Sequence, residues 1–387
     1  MEYNKFKLVD LIEEYDELNI EGEFSSIDNL QGINSNKFFQ ECKSNKNDID
    51  LLRYRICRKG MFSYNRATSR NGEKISIAYR IGEDCLVSPS YYCFYVKKQE
   101  VLCPEYLDIW FKRPVFDRYA RFNSWGSATE FFTFDDFCST EISLPPIAEQ
   151  RKIVHNYQVI TDRIALLCRE HEILVEIAKN LYSKYFKQNE YPLVPLRNIC
   201  SKIGSGATPR GGKSSYCDKG ISLIRSTNVY DYSFSYNALA HINDAQADAL
   251  SNVVVEPYDV LFNITGVSIA RCCMVPSNVL PARVNQHVMI LRPTAGKYMS
   301  YFLLLTMCDQ ANKNLLLGIG QSGSTREAIN KQEMEEFKIP LPSDTEIDVF
   351  GKQVEICFNH IQNITYEIEI LQNALALLQM QLSEKSI

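Results

Sequence analysis

From Leu144 to Tyr185 the chain reads LPPIAEQRKIVHNYQVITDRIALLCREHEILVEIAKNLYSKY. Its apolar and aromatic positions, Ile153, Tyr157, Ile160, Ile164, Leu167, (His171), Leu174, Ala178, Leu181 and Tyr185, are separated by alternating steps of four and three. That is the a/d spacing of a coiled-coil seam. Adding 197 to each number lands on Phe350, Val354, Cys357, Ile361, Ile364, Ile368, Leu371, Leu375, Leu378 and Leu382, all of them apolar. Only His171 breaks the first set, and its counterpart is Ile368; it is expected to set register or lie partly exposed rather than to bind a metal. Prolines at 145–146 and 340–342 cannot lie inside a helix and mark where each rod starts. Each rod of roughly 33 residues would be about 50 Å long at 1.5 Å per residue.

Working outward from the rods, the rest of the chain also repeats. At the same shift Ile142-Ser143-Leu144-Pro145 falls on Ile339-Pro340-Leu341-Pro342, Gly126-Ser127 on Gly323-Ser324 and Glu149 on Glu346. Tyr64-Asn65 matches Phe262-Asn263 at a shift of 198. Such self-similarity means one architecture written twice. The segments before the rods mix short β-rich runs (Ile75–Tyr79, Tyr91–Val96, Val253–Val255, Asp259–Asn263, Val288–Leu291) with helical stretches at Glu105–Lys112 and Lys297–Cys308. The expected fold is α+β, with mixed domains at 1–145 and 190–342, each followed by a long helix, at 146–189 and 343–387. A lone amphipathic rod exposes its stripe, so the two stripes should pack together. Parallel and antiparallel pairing are both physically possible. Equivalent domains leading into each rod favour the antiparallel pair, with a pseudo-twofold axis and a domain at either end.

Composition narrows the function classes. No run approaches the ~20 apolar residues of a membrane span, Tyr301–Met307 being the nearest. The start, MEYNKFKLVD, has no apolar signal-peptide core. Thirteen scattered cysteines without CxxC spacing read as reduced thiols of a cytoplasmic protein. Adjacent Cys272 and Cys273 are expected to fill opposite faces of a strand. The net charge of −5 hides two basic windows, one per half. Arg53 to Arg80 holds Arg53, Arg55, Arg58, Lys59, Arg66, Arg70, Lys74 and Arg80 against Glu73 alone. Arg197 to Arg225 holds six basic residues against Asp218. Paired basic windows are the footprint of a polyanion reader, although a charge run is more often a solvated face.

Enzymatic chemistry finds little purchase. The five histidines are dispersed, and neither HExxH nor GxSxG occurs. The stretch GATPRGGKS (Gly206–Ser214) nearly forms a phosphate loop, but Ala207 stands where the first glycine is required and Pro209 removes a backbone donor. No metal site and no cofactor bound by this chain is expected. The same stretch suits a basic loop over DNA, with Ser205, Thr208, Arg210, Lys213 and Ser214 as donors. Arg225, Thr227 and Asn228 form a second polar cluster, and Asn263, Thr265, Arg271, Gln286 and His287 add groups able to read bases. The first half offers Asn65, Arg66, Thr68, Ser69, Arg70, Asn71 and Lys74. Arg suits guanine O6/N7, and Asn or Gln suits adenine N6/N7.

LPPIAEQRKIV (Leu144–Val154) leading into a heptad helix, with IPLP repeated at Ile339, resembles the specificity subunits of type I restriction–modification systems. SGATPRGG (Ser205–Gly212) after VPLRNICSKIG, and KGMFSYNRA (Lys59–Ala67) with VSPSYYCF (Val87–Phe94), are similar to that family's target recognition domains. The second copy departs from the pattern: PSDTEIDVF keeps Glu346 and lacks the glutamine, and the first half has no SGGTP-like element. The resemblance implies a non-catalytic subunit in which each domain reads half of a bipartite double-stranded DNA site and the paired helices set the gap. It further implies that methyltransferase subunits clasp the coil and bring S-adenosylmethionine, and that restriction subunits join them. The competing expectation is a coiled-coil adaptor whose duplicated domains bind protein and no DNA; a lone enzyme is the third.

Overall fold

A computed structural model describes residues 3–42, 49–68, 74–127, 129–209, 211–321 and 327–384. The chain divides into two compact units, residues 1–162 with 373–387, and residues 163–372. Each division falls inside a long helix.

The first unit is built on a four-stranded antiparallel sheet in the order Ile12–Glu14, Tyr91–Val96, Phe62–Asn65, Ile77–Tyr79. Aromatic side chains on one face make it cohere. Phe62 stacks on Phe94 (centroids 5.1 Å apart) and Tyr64 on Phe137 (4.8 Å), all fully buried. Helices Pro104–Phe111 and Pro114–Phe122, each opening on a proline that needs no partner for a missing N–H, cover this face with Phe111 and Phe116. Strands Asn4–Lys7 and Glu141–Leu144 pair at the unit's base.

The second unit repeats the frame. Its sheet runs Cys200–Ser205, Val288–Pro293, Val260–Asn263, Cys272–Met274, again antiparallel. Register agrees with the repeat: Phe62 faces Phe94 in one sheet and Val260 faces Leu291 in the other, while Asn65 faces Tyr91 and Asn263 faces Val288. The bridge Ala67↔Phe131 likewise recurs as Thr265↔Ala328. A second sheet (Ala240–Ile242, Ile221–Ile224, Ala282–Val284, Val254–Val255) is fuller here than its first-unit counterpart, the pair Arg55–Cys57 and Cys85–Val87. Cys272 packs against the core under helix Gly296–Cys308 and Cys273 against the second sheet, so the two thiols fill opposite faces of their strand. Tyr301–Met307 lies in that buried helix, and no helix among the described residues is long and apolar enough to cross a membrane.

The long helices span Ile147–Phe186 and Asp344–Glu384. Both start earlier than the heptads do. At the second start Ser343 and Glu346 cap reciprocally: the glutamate accepts from the serine N–H at 2.9 Å and the serine hydroxyl from the glutamate N–H at 3.4 Å. At the first, Gln150 is fully buried; its amide donates to Val101 O (2.8 Å) and Pro145 O (2.9 Å) and accepts from Cys103 N (2.9 Å). Its repeat counterpart is the buried Ile347. The missing glutamine of the second copy is thus a polar clamp exchanged for an apolar plug.

Within each unit the two helices run antiparallel. In the second unit Arg163 meets Glu367, Glu170 meets His360 and Tyr185 meets Gln353. In the first, Tyr157 meets Gln379, and Val154 and Leu382 share the core. Leu167, Ala178, Val354, Cys357, Ile361 and Ile364 are buried, and Ile153, Tyr157, Ile160, Ile164, Leu174, Leu181, Ile368, Leu371 and Leu378 half-buried. Val175, Tyr182, Phe186 and Phe358, off the a/d frame, are buried as well. The rods therefore also serve as walls of their units' cores.

Candidate nucleic-acid interface

Three loops of the second unit meet at one edge of its sheet: the end of strand Cys200–Ser205, the turn after Val260–Asn263 and the turn before Val288–Pro293. They carry a continuous hydrogen-bonded chain. The Thr208 hydroxyl donates to Gln286 Oε1, Gln286 Nε2 lies 3.1 Å from His287 Nε2, and His287 Nδ1 lies 2.7 Å from Thr265 Oγ1. An amide nitrogen only donates, so His287 Nε2 is the acceptor and Nδ1 carries the proton toward Thr265. The array presents an amide, an imidazole and two hydroxyls, the groups that read base edges.

The loops are held from below. Gly206 N–H donates to Asn285 O at 3.1 Å, and a Cβ on Gly206 would stand 1.8 Å from Val284 O. The close approach requiring this glycine is to the protein's own strand, not to a ligand. In the turn 264–269, Ile264 and Ile269 are buried as anchors, Gly266 takes φ +63°, and Val267 at the tip is 99 % exposed. Arg271 returns to the frame with its guanidinium 4.8 Å above Tyr230.

Several expected contact residues have other employment. Asn263 is fully buried, its amide donating to Ser226 O (2.9 Å) and Val229 O (3.4 Å). Asn228, also buried, accepts from Arg225 N and donates to Ser235 O and Asn237 O. Both tie turns of the second unit together and cannot reach a base. Thr68 is buried with its N–H and hydroxyl spent on Glu130 O. Arg225 is half-buried and donates to Ala238 O, whereas Thr227 is exposed and Ser205 half-buried at the strand end. Ser69, Arg70, Asn71 and Arg210 lie outside the described residues, as do the side chain of Lys213 and the repeat match at Gly323-Ser324.

Three arginines of the first basic window are neutralised. Arg55 pairs with Asp16, Arg53 with Asp50, and Arg58 with Glu17, Glu23 and Asp84 together. These acids keep Arg58 protonated well above the usual arginine range, Glu23 contributing most. Without a carboxylate partner among the described residues are Arg66, exposed and 5.3 Å over Phe131, Lys74, exposed at the end of its loop, exposed Lys59, and Arg80, which donates to Glu83 O; half-buried Asn65 accepts from Ala67 N. In the second window Arg197 pairs with Glu336 and Lys202 donates to Asn252 O.

Sequence reasoning passed over helix Pro114–Phe122 and the turn after it. Phe116 and Ala120 face the core, leaving Arg118, Arg121 and Phe122 outward, with Trp125 beyond. The signal was a tryptophan inside the polar turn Asn123-Ser124-Trp125-Gly126-Ser127.

Comparison with known proteins places this architecture. Residues 194–378 match the family model described as type I restriction modification DNA specificity domain. The putative type I restriction enzyme MjaX specificity subunit of Methanocaldococcus jannaschii is 23 % identical over 198 residues, 49 % of this chain and 46 % of that protein. The chain thus spans about half the length of that curated relative. The crystal structure of the type I restriction–modification S subunit from M. genitalium shares the fold, with TM-score 0.64 over 99 % of this chain and 96 % of that one at 13 % identity. Residues 194–378 are thus similar to a type I restriction modification DNA specificity domain, and the chain as a whole shares the fold of a type I S subunit.

Proposed function

We propose that this chain is the non-catalytic DNA-reading subunit of a type I restriction–modification complex acting in the cytoplasm. Each unit reads one half of a bipartite double-stranded site, and the antiparallel helices fix the unread gap. Linking two weak readers makes the second contact intramolecular, so affinity rises without more contacts per domain. Two methyltransferase subunits dock on the helices and carry the S-adenosylmethionine chemistry; restriction subunits join that assembly. The observation that carries this function is the joined Thr208–Gln286–His287–Thr265 array on a frame present in both units. With so many of its own arginines paired, the subunit needs basic partner surfaces to hold phosphates, because counterion release supplies much of DNA affinity.

The test is filter binding of the subunit assembled with its methyltransferase partner, using duplex DNA at several salt concentrations. Affinity falling steeply with salt is expected. Absence of binding at low salt, or binding indifferent to salt, overturns DNA reading and favours a protein adaptor.

A further inference from the structure

Among its described residues the first unit shows no counterpart of the amide–imidazole chain of the second, and it carries aromatic rings at the corresponding edge. Phe122 is 80 % exposed and Trp125 68 % exposed, whereas the chain's other tryptophan, Trp110, is 6 % exposed. Trp125 is not on a loose loop. Its N–H donates to Phe131 O at 3.1 Å and its carbonyl accepts from Phe131 N at 2.9 Å. Phe131 is in turn bridged to Ala67, and Phe132 N–H donates to Arg66 O at 2.8 Å, so the rings are stitched to the loop holding Asn65 and Arg66. A rigid patch of large exposed rings marks an interaction surface.

Its charge says what covers it. Arg66 lies over Phe131, while Arg118, one helical turn before Phe122, and Lys74 line a common cavity of about 500 Å³. Among the described residues no carboxylate pairs with Arg66, Lys74 or Arg118; the nearby Glu130 pairs with Arg121, and Asp117 with Lys37. Aromatic rings flanked by unneutralised cations suit nucleic acid: the cations meet phosphates, and a ring wedged at an unstacked base step of the duplex reaches a base face.

We propose that Trp125, supported by Phe122, stacks on a DNA base, so that the first unit reads its half-site partly by base stacking while the second reads by hydrogen bonding. This rests on the DNA-reading function proposed above. The experiment uses the full chain carrying 5-hydroxytryptophan in a Trp110→Phe background, reconstituted with unlabelled methyltransferase subunits and excited where partner tryptophans are silent. The duplex is the site found by methylome sequencing. Expected are unchanged emission on assembly with the partner and strong quenching on adding the duplex. Trp125→Ala should weaken binding roughly 5- to 150-fold, the range of base–aromatic stacking, and Trp125→Phe should retain most of the affinity. Salt-dependent duplex binding with unchanged emission overturns the stacking role and leaves DNA reading intact. Quenching complete on partner assembly alone assigns the patch to a protein interface and overturns it too. Failure of the wild-type complex to bind duplex overturns both.

Discussion

The side chain of Gln150 and the backbone of Cys103 meet at 2.9 Å in the interior of the first unit, joining the first turn of a long helix to the start of a covering helix. Gln150→Ala would leave Cys103 N, Val101 O and Pro145 O short of a partner where water does not reach. Leaving buried polar groups unpaired costs about 1–3 kcal/mol. Thermal unfolding should show a clear loss, larger than for Arg151→Ala on the exposed side of the same turn.

Stability of the second unit should depend on His171. Burial lowers its pKa, and its Nε2 is enclosed without a partner. A histidine whose folded pKa is depressed contributes stability that is complete above its unfolded pKa of about 6.5 and is lost as pH falls through the folded value. His171→Ile, copying Ile368, should flatten the melting temperature of this unit across that acid range. Equal pH dependence in both proteins would contradict the assignment.

Gly206→Ala must push apart two strands, since the added methyl meets Val284 O at 1.8 Å; at Gly204 the nearest atom is a lysine methylene at 3.5 Å. Overpacking of this kind costs about 1–3 kcal/mol. The first variant should melt earlier and misplace Thr208, and the second should behave as wild type in the same assay.

Arg66→Ala and Gln286→Ala should each relax sequence preference in a different half-site, by roughly 1–3 kcal/mol per lost base contact. Competition binding against a panel of single-base variants measures it. Uniform weakening across the panel would identify phosphate contacts instead.

Inserting one heptad into both long helices adds about 10 Å at 1.5 Å per residue. With base pairs about 3.4 Å apart, the unread gap should grow by roughly three base pairs and the half-site sequences stay the same. Methylome sequencing reads both quantities directly.

The fold was legible wherever periodicity spoke. Alternating steps of four and three located both rods, and Tyr91–Val96 and Gly296–Cys308 fall within a residue of expectation. The heptads ran short at their N-terminal ends because the first turns, Gln150 and Ile347 included, belong to the units' cores rather than to a seam. Site residues were harder. Asn228 and Asn263 look on paper like Gln286, yet two are hydrogen-bonded into turns and the third is exposed. Residue type shows that a group can donate; only packing shows whether its donor is already spent. Likewise the arginines of the first basic window and the acids that absorb them, Asp16, Glu17 and Glu23, are distant in sequence and adjacent in space.

The first unit includes residues 373–387, and Leu382 packs in its core while its carbonyl accepts from the buried Arg113 at 3.1 Å. A ribosome making this chain therefore releases an N-terminal unit with an open flank, which stays open until some 210 further residues have emerged. Folding cannot proceed strictly from the leading end. A nascent chain stalled before residue 373 should expose Val154 and its neighbours to chaperones, and it is the N-terminal half that would suffer from a frameshift near the C-terminal end.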